Sequence, residues 1–342
     1  MNKSTLMKAI VYTSYGAPDV LQLKETEKPV PGKDEILIKI RATTVTSGDW
    51  RVRSLNVPRG FKLMSRLFLG ITKPKKQILG TELSGEVVSV GENVSIFKTV
   101  DQVFAFSGAG MGCYTEYKTM PEDGMVVLKP TNLTYEEAAA LSFGGTTALD
   151  FFRRGNLQNG ENVLINGASG GVGTAAVQLA RHFGAVVTGV CSTANIELVK
   201  SLGADHVIDY TKEDFTKNGE TYDIIMDTAG TAPYSRCKKS LKENGRLLLV
   251  LGGLPDMLGI PWVHLTGKKK IIAGPAGERV DDLQTLARLA EEGVFKPVID
   301  RRYPFEQMVD AHRYVDTGRK KGNVVVLLGS AGSGQVESKK MV

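Results

Sequence analysis

A glycine-rich turn at residues 167–173 contains the residue types whose spacing most clearly indicates chemistry. It reads Gly-Ala-Ser-Gly-Gly-Val-Gly and follows the apolar run Val163–Ile165. Small residues at this spacing let the backbone approach a pyrophosphate, and the start of the following helix offers free N–H groups and a partial positive charge. The context of strand, turn and helix predicts a dinucleotide site, with a structural turn or a methyltransferase loop as alternatives. The predicted contacts are Ser169, Gly170, Gly171 and Val172.

The residues after the next apolar run, Val186–Val190, indicate which dinucleotide binds. NAD enzymes carry an acid there that accepts a hydrogen bond from the ribose 2′-hydroxyl. Here residues 191–195 read Cys-Ser-Thr-Ala-Asn, and the first acid is Glu197. Because an acid would repel a 2′-phosphate whereas hydroxyl and amide groups can donate to it, the sequence favours NADPH. The predicted pocket residues are Ser192, Asn195, Lys200 and Tyr210, although Lys200 is equally compatible with a solvated helix charge.

The residues available do not favour metal chemistry. All four histidines lie at or after His182, and Cys113 is the only cysteine before Cys191. A zinc ion needs thiolate, imidazole or carboxylate ligands, so we expect no metal. Without a Lewis acid, the reduction of a simple carbonyl is difficult, whereas hydride adds more readily to an electron-poor quinone or enone. The expected partner is therefore a small electron-poor acceptor.

Two kinds of secondary structure must position these residues. Up to about Pro130 the chain has short alternating strands separated by Gly and Pro turns. From about Leu133 apolar strands alternate with helices, the first helix covering Gly173–His182, which predicts a parallel sheet covered on both faces. The early strands are predicted at Met7–Val11, Glu35–Arg41, Gly85–Val90, Gln102–Phe106 and Thr115–Thr119. The later ones are predicted at Val163–Ile165, Val186–Val190, Val207–Ile208, Asp223–Met226, Leu247–Leu251 and Ile271–Ile272.

The last part of the chain returns to a mixed pattern. Helices are predicted at Asp281–Glu292 and Pro304–Val315, and a terminal strand at Asn323–Leu328. Residues 329–342 are rich in Gly, Ser and Lys, and this composition predicts a disordered tail.

Composition narrows the classes of protein and partner. The net charge is +6 over 342 residues, but the basic residues are spread out, so we expect no nucleic-acid partner. Three widely spaced cysteines indicate a reducing compartment, and we expect a cytoplasmic protein. No run reaches the 18 apolar residues of a membrane span, so no integral membrane segment is predicted.

Several segments together resemble a known family. They are residues 166–173, residues 80–87 (Gly-Thr-Glu-Leu-Ser-Gly-Glu-Val), Leu141–Ala148, and residues 199–205 followed by Val207–Tyr210. With the strand-rich first part, they resemble the medium-chain dehydrogenase/reductase superfamily, and most closely its zinc-free quinone oxidoreductase and enone reductase branch. The resemblance covers nearly the whole chain apart from the tail.

The resemblance implies an α/β architecture in which a Rossmann doubly wound parallel sheet is inserted into a GroES-like, strand-rich catalytic domain. The implied boundaries are 1–132 plus 277–328 for the catalytic domain and 133–276 for the dinucleotide domain. It also implies a homodimer and an NADPH-dependent reductase of quinones or α,β-unsaturated carbonyls. A non-catalytic NADPH-binding sensor or structural protein is the alternative. The positions of zinc ligands in metal-dependent relatives correspond to Thr46, Thr81 and Ser142.

The same resemblance points to residues near the nicotinamide. Thr46 and Ser47 replace the Asn-Pro of an Asn-Pro-x-Asp segment that relatives carry. Asp49 is expected to be a structural hydrogen-bond acceptor rather than a group that orients substrate, Trp50 is equally compatible with core or cleft wall, and Arg53 is expected at the surface. The cleft candidates are Thr46, Asp49 and Trp50, and the further cofactor contacts are Thr146 and Gly252.

Residues 59–76 interleave apolar and basic side chains. The favoured interpretation is an amphipathic insertion packed on its own domain. An active-site lid and a membrane-touching patch are the alternatives.

Overall fold

The computed structural model describes residues 5–329, without the side chains of residues 264 and 266. The predicted disordered tail lies outside the described residues from position 330 onward. Among the described residues, no helix combines the length and the apolar character that crossing a membrane requires.

The described residues contain fifteen strands in three sheets. The strands are β1 Leu6–Tyr12, β2 Leu21–Glu27, β3 Glu35–Thr44, β4 Glu82–Val90, β5 Gln102–Phe106, β6 Tyr117–Pro121, β7 Val126–Leu128, β8 Asn162–Asn166, β9 Val186–Cys191, β10 His206–Asp209, β11 Tyr222–Asp227, β12 Leu241–Leu249, β13 Lys270–Ala273, β14 Ile299–Pro304 and β15 Asn323–Leu327. Strands β8 to β13 form a six-stranded sheet in the order β10-β9-β8-β11-β12-β13.

All neighbouring strands of the six-stranded sheet are parallel. Their apolar side chains are buried on both faces, in two separate core clusters. Strands buried on both sides read as continuous apolar runs, which is why the sequence revealed them. The predicted doubly wound parallel sheet is confirmed.

The seven-stranded sheet combines the two ends of the chain. Its order is β14-β15-β3-β4-β5-β7, with β6 also paired to β3. β15 pairs antiparallel with β3, Val325 facing Thr44, so the last strand completes a sheet begun by the third. β1 and β2 form a separate antiparallel pair. The predicted strand-rich domain, to which both ends of the chain contribute, is confirmed. Its boundaries at residues 132 and 277 stay a prediction.

Ten helices connect these strands within the described residues. The helices are α1 Ser47–Ser54, α2 Lys62–Leu69, α3 Tyr135–Ala139, α4 Ser142–Arg154, α5 Gly171–His182, α6 Ile196–Ser201, α7 Tyr234–Cys237, α8 Leu254–Thr266, α9 Val280–Glu291 and α10 Met308–Asp316. Helix α5 follows β8 and packs against α4. Its C-cap is Phe183, followed by Gly184 at φ +80°, which agrees with the predicted helix end.

The expectation that Arg53 lies at the surface is wrong. Its side chain is fully buried, and its Nη2 donates to both carboxylate oxygens of Asp316 at 2.7 Å. A buried cation requires a charged partner because desolvation alone is costly. The pair joins α1 to α10, a contact between distant parts of the sequence that local spacing does not reveal.

The favoured interpretation of residues 59–76 is also wrong for most of their apolar side chains. Phe61 and Leu69 are half-buried, whereas the others point to solvent. The exposed ones are Leu63, Met64, Leu67, Phe68 and Ile71. The segment forms the expected amphipathic helix over residues 62–69, but the apolar face of this helix does not pack on its own domain.

Candidate dinucleotide and acceptor cleft

The turn between β8 and α5 leaves the start of α5 open. Gly170 is the N-cap residue and no side chain caps the helix, so the first N–H groups of α5 have no side-chain partner at this end. Gly167 adopts φ +84°, a region that glycine occupies without strain. A Cβ on Gly173 would lie 2.1 Å from the Gly167 carbonyl oxygen. Close packing within the turn therefore requires Gly173, and the open helix end fits an anionic group.

The segment before β15 lies directly on this turn. Gly322 N–H donates to the Ser169 carbonyl at 2.8 Å, and Gly170 and Gly322 form a parallel bridge. The neighbouring Lys320 donates from Nζ to the Gly322 carbonyl at 2.5 Å. Its Nζ lies 3.1 Å from the position that a Cβ on Gly171 would occupy. A cation thus lies beside the first residue of α5.

Lys320 is a candidate site residue that the sequence pattern does not reveal. Burial lowers the pKa of its ammonium group to about 8, although Glu82 and Asp300 act in the opposite direction. A desolvated ammonium beside an open helix N-terminus suits a phosphate group. The run of three basic residues at 319–321 indicates a local positive charge. The spacing does not show which of the three side chains turns inward.

Asn195 links two predicted pocket residues. Its Nδ2 donates to Ser169 Oγ at 2.9 Å and to Ser192 Oγ at 3.3 Å. Its Oδ1 is buried and has no hydrogen-bond partner among the described residues. A buried acceptor without a donor is costly, and a ribose hydroxyl would supply one. In this arrangement Asn195 offers an acceptor, and Ser192 keeps a hydroxyl proton for a phosphate.

Asp209 is an acid beside this pocket that the sequence pattern does not reveal. The Thr193 hydroxyl donates to Asp209 Oδ2 at 2.5 Å, and Asp209 ends β10, the neighbour of β9. The hydrogen bonds from the Thr193 and Thr211 hydroxyls lower the pKa of Asp209 to about 2. The missed signal is the strand order, which brings residues 191 and 209 side by side.

Lys200 and Tyr210 lie further toward solvent. Lys200 forms an exposed ion pair with Glu197 at 3.2 Å, which agrees with the solvated-charge interpretation. Tyr210 N–H donates to the Cys191 carbonyl at 3.0 Å, and its side chain is 63% exposed. Its ring therefore lies at the edge of the pocket, where an adenine could stack.

α4 connects the turn to the catalytic domain. A Cβ on Gly144 would lie 2.5 Å from the Gly171 carbonyl oxygen, so α4 and α5 approach closely at their N-terminal ends. Thr146 is buried and donates to the Ser142 carbonyl at 2.8 Å. Gly252 lies in the loop between β12 and α8. This loop also contacts the segment before α2, because Leu254 N–H donates to the Arg59 carbonyl at 2.9 Å.

Thr46 and Asp49 form a capping box at the start of α1. Asp49 N–H donates to Thr46 Oγ1 at 3.1 Å, and Asp49 Oδ2 accepts from Thr46 N–H at 2.9 Å. Asp49 Oδ1 accepts from Gly80 N–H at 3.1 Å. Burial raises the pKa of Asp49 to about 6 against these hydrogen bonds. The geometry agrees with a structural acceptor, and Trp50 is half-buried against the core of the catalytic domain.

Glu82 is a buried carboxyl that ties the two domains together. It accepts from Phe143 N–H at 2.6 Å, at the start of α4, and from the Thr44 hydroxyl at the end of β3. Burial raises the pKa of Glu82 to about 7. The Phe143 ring lies close to Gly48 in α1, where an added Cβ would be 3.4 Å from the ring. The sequence pattern does not single out Glu82 as a site residue, because its partners are more than 35 residues away.

Two of the three positions that correspond to zinc ligands carry buried hydroxyl groups without a partner. Thr81 Oγ1 and Ser142 Oγ are buried and make no hydrogen bond within residues 5–329. The part of the chain that the structure describes contains no group of three or more His, Cys, Asp or Glu residues able to hold a metal. Unsatisfied donors of this kind suit an acceptor oxygen.

Comparison with known proteins gives consistent similarities. A family model described as an alcohol dehydrogenase GroES-like domain matches residues 32–131, and one described as a zinc-binding dehydrogenase matches residues 202–326. The chain is 36% identical to a 2-methylene-furan-3-one reductase of Solanum lycopersicum, over 94% of this chain and 79% of that protein. It is 34% identical to a chloroplastic quinone-oxidoreductase homolog of Spinacia oleracea, over 94% and 98%. The structure of the quinone oxidoreductase from Coxiella burnetii matches with TM-score 0.84 and 28% identity, over 95% and 100%.

Proposed function

The chain belongs to the medium-chain dehydrogenase/reductase superfamily, in its quinone oxidoreductase and enone reductase branch, and on that premise we propose that it reduces quinones or α,β-unsaturated carbonyls with NADPH and without zinc. It is an NAD(P)H-dependent reductase, so the non-catalytic alternative is set aside. The observation that carries the proposal is the uncapped N-terminus of α5 beside Lys320. These groups fit a pyrophosphate, and the hydroxyls of Thr81 and Ser142, rather than metal ligands, would face the acceptor.

The residues around the turn would hold the cofactor. Ser169, Gly171 and Val172 offer backbone N–H groups and a partial positive charge, and Lys320 adds a full charge. The Gly170 N–H already donates to the Gly167 carbonyl at 3.1 Å, so Gly170 would contribute space for the cofactor to approach. Asn195 Oδ1 would accept from a ribose hydroxyl. Thr146 and Gly252 would border the nicotinamide, which when bound supplies hydride. The remaining task of the protein is to position the acceptor and to stabilise charge on it.

The hydroxyl groups of Thr81 and Ser142 would stabilise that charge. When hydride adds to a quinone or to the β-carbon of an enone, negative charge develops on the acceptor oxygen. A donor that is already desolvated needs little reorganisation to meet it. Glu82 and Asp49 would position the surrounding backbone at Phe143 and Gly80. Of the three cleft candidates, the half-buried Trp50 would contribute to the wall of the cleft, whereas Thr46 and Asp49 are buried and would act through the backbone that they hold.

The preference for NADPH rests on the pocket after β9. Ser192 can donate to a 2′-phosphate, and no acid follows it directly in the sequence. Asp209 is nearby, but two threonine hydroxyls already donate to it. We expect KM for NADPH to be at least about tenfold lower than for NADH, since one such contact is worth roughly 1.4 kcal/mol. Equal KM values for NADPH and NADH would contradict the preference for NADPH.

Cofactor oxidation against a panel of acceptors tests the activity. NADPH absorbance at 340 nm is followed with quinones, enones, simple aldehydes and simple ketones. Turnover is expected with the first two classes, and turnover confined to simple carbonyls would contradict the proposal. Thr81→Val and Ser142→Ala should lower kcat for enones while the Kd for NADPH stays unchanged. An unchanged kcat, or a Kd for NADPH that rises as kcat falls, would show that these hydroxyls do not act on the acceptor.

The absence of zinc is tested on the purified protein. Elemental analysis should find less than one zinc per ten chains, and chelator should leave activity unchanged. Stoichiometric zinc, or loss of activity with the metal, would overturn this part of the proposal.

We also propose a cytoplasmic homodimer. The three cysteines are buried and free, which suits a reducing compartment. The spinach relative is named as chloroplastic, so fractionation of cells that express the intact protein is the deciding experiment. Sedimentation velocity at micromolar concentration tests the dimer, and a monomer would contradict it.

A further inference from the structure

Residues 50–81 concentrate the positive charge of the protein. They include eight Lys or Arg residues and no Asp or Glu, whereas the whole chain has a net charge of +6. The rest of the sequence therefore has a slightly negative net charge. The acids on either side, Asp49 and Glu82, are both buried. The surface formed by this stretch is basic without acidic residues of its own.

α2, within this stretch, presents an apolar face to solvent. At 100° per residue, Leu63, Met64, Leu67 and Phe68 fall on one side of the helix, and they are 74%, 58%, 58% and 70% exposed. The opposite side is formed by the half-buried Ser65 and Leu69, and Leu69 packs against the core of the catalytic domain. The helix is thus attached by one side and leaves its apolar face directed outward.

Basic side chains border this apolar face. Arg66 lies on the flank of α2 beside Leu63, Lys62 is the first residue of the helix, and Lys73, Lys75 and Lys76 follow the helix; all five are exposed. The hydrogen bonds of Arg66, Lys75 and Lys76 run to backbone carbonyls. Within the described chain, none of these five cations is part of an ion pair. We call the four apolar residues together with Lys62 and Arg66 the α2 surface.

An exposed apolar face bordered by uncompensated cations matches the boundary of an anionic lipid bilayer. Apolar side chains enter the boundary between headgroups and acyl chains, while Lys and Arg remain among the anionic headgroups. A second copy of the chain would bring like charges together, and a nucleic acid would leave the apolar face in water. We propose that the α2 surface docks the protein on anionic membranes.

Vesicle binding tests this proposal with the full-length protein. Large vesicles of phosphatidylcholine with 30% phosphatidylserine are compared with pure phosphatidylcholine in a flotation assay. The protein should float with the anionic vesicles at low salt and bind pure phosphatidylcholine at least about tenfold more weakly, because each cation near an anionic surface contributes about 1 kcal/mol. Raising the salt to 0.5 M should weaken binding.

Matched variants locate the contact. Lys62→Glu with Arg66→Glu, and separately Leu63→Ser with Phe68→Ser, should each reduce vesicle binding at least about tenfold. The charge control is Lys24→Glu with Lys217→Glu, both exposed and outside the α2 surface. The apolar control is Val30→Ser, which is 85% exposed. Circular dichroism and NADPH affinity should be unchanged in all of them, since these residues lie outside the dinucleotide site.

Insertion gives an independent readout. Phe68→Trp should show blue-shifted emission with anionic vesicles and quenching by brominated acyl chains, relative to wild type. Equal binding to neutral and anionic vesicles, or unchanged binding by the α2 variants, would overturn the proposal. So would a dimer that dissociates with Leu63→Ser and Phe68→Ser, because the α2 surface would then be a protein interface.

Discussion

At the residue scale, two glycines of the same turn have different tasks. A Cβ on Gly170 would meet only the Gly167 carbonyl oxygen, at 3.5 Å, which is an ordinary contact. Its φ of −80° and ψ of 178° are open to any residue. A Cβ on Gly173 would collide with the same oxygen at 2.1 Å. Gly170 is therefore dispensable for folding, whereas Gly173 is required for it.

Gly170→Val should consequently leave the unfolding free energy almost unchanged and weaken NADPH binding at least about a hundredfold, since its side chain would fill the approach to the N–H groups. Gly173→Val should instead cost about 3 kcal/mol of stability. Denaturant unfolding and calorimetric titration measure the two effects. Retained affinity in Gly170→Val would place the cofactor elsewhere.

Lys320 offers a second prediction at this scale. Lys320→Met should weaken NADPH and NADH binding alike, by about tenfold or more, because a charge-assisted hydrogen bond is worth about 1.5–3 kcal/mol. Loss of NADPH affinity alone would place Lys320 at the 2′-phosphate. Arg319→Met, at an exposed neighbouring position, is the control.

The protonation of Lys320 gives a readout that does not depend on turnover. Its pKa of about 8 in the free protein should rise when a phosphate binds, so binding takes up protons and weakens as the pH increases above about 8. Glu82 and Asp300 face the same ammonium and already favour its charged form. Calorimetry at pH 8.5 in two buffers of different ionisation enthalpy measures the uptake. Heats independent of the buffer would exclude this role.

Glu82 should make stability depend on pH. Below pH 4.5 the carboxyl is protonated in the folded and the unfolded chain. As the pH rises, the unfolded chain ionises first, and folded stability falls until Glu82 ionises near its pKa of about 7. Glu82→Gln removes this loss, so its stability relative to wild type should increase by about 3 kcal/mol between pH 4.5 and pH 8. If the pH profiles of unfolding free energy were parallel for Glu82→Gln and wild type, the raised pKa would be contradicted. The control is Glu92→Gln at an exposed position, whose profile should run parallel to that of wild type.

At the element scale, one buried ion pair holds α1 against α10. Arg53 is fully buried, whereas the Asp316 side chain is 27% exposed. Removing the carboxylate therefore leaves an uncompensated buried cation, and removing the guanidinium leaves a carboxylate that water reaches. The two substitutions should have unequal costs.

Asp316→Asn should cost about 3–5 kcal/mol of unfolding free energy, and Arg53→Met should cost less. The exposed pair of Arg313 and Asp19 is the control, with an expected loss of less than about 1 kcal/mol for Asp19→Asn. Equal and small losses at Arg53 and Asp316 would mean that the pair does not hold the helices together.

The sequence predicted most elements because their patterns are local. The strand bounds of β5 and the end of α5 follow from alternation and from Gly184. The sequence did not predict the surroundings of four charged residues, because the partners of each lie far away in the chain. These residues are Arg53, Glu82, Asp209 and Lys320. Burial of a charged residue depends on which elements become neighbours, and residue spacing does not contain that information.

At the scale of the whole molecule, the dinucleotide site depends on both domains. Ser169 contacts Gly322, and Glu82 contacts Phe143, so separating the domains would expose both contacts. We expect one cooperative thermal transition, and NADPH at a hundred times its Kd should stabilise the protein by about 2.7 kcal/mol. Calorimetry with and without NADPH measures this. Two transitions, of which only one shifts, would show that the domains unfold independently.

The bridge between Gly170 and Gly322 also has a consequence for biosynthesis. The phosphate-binding turn lies near the middle of the chain, but the backbone that supports it is made about 150 residues later. A ribosome must therefore release the segment up to β15 before the turn acquires its support and the Lys320 charge. Nascent chains that stop before this segment should fail to retain NADPH.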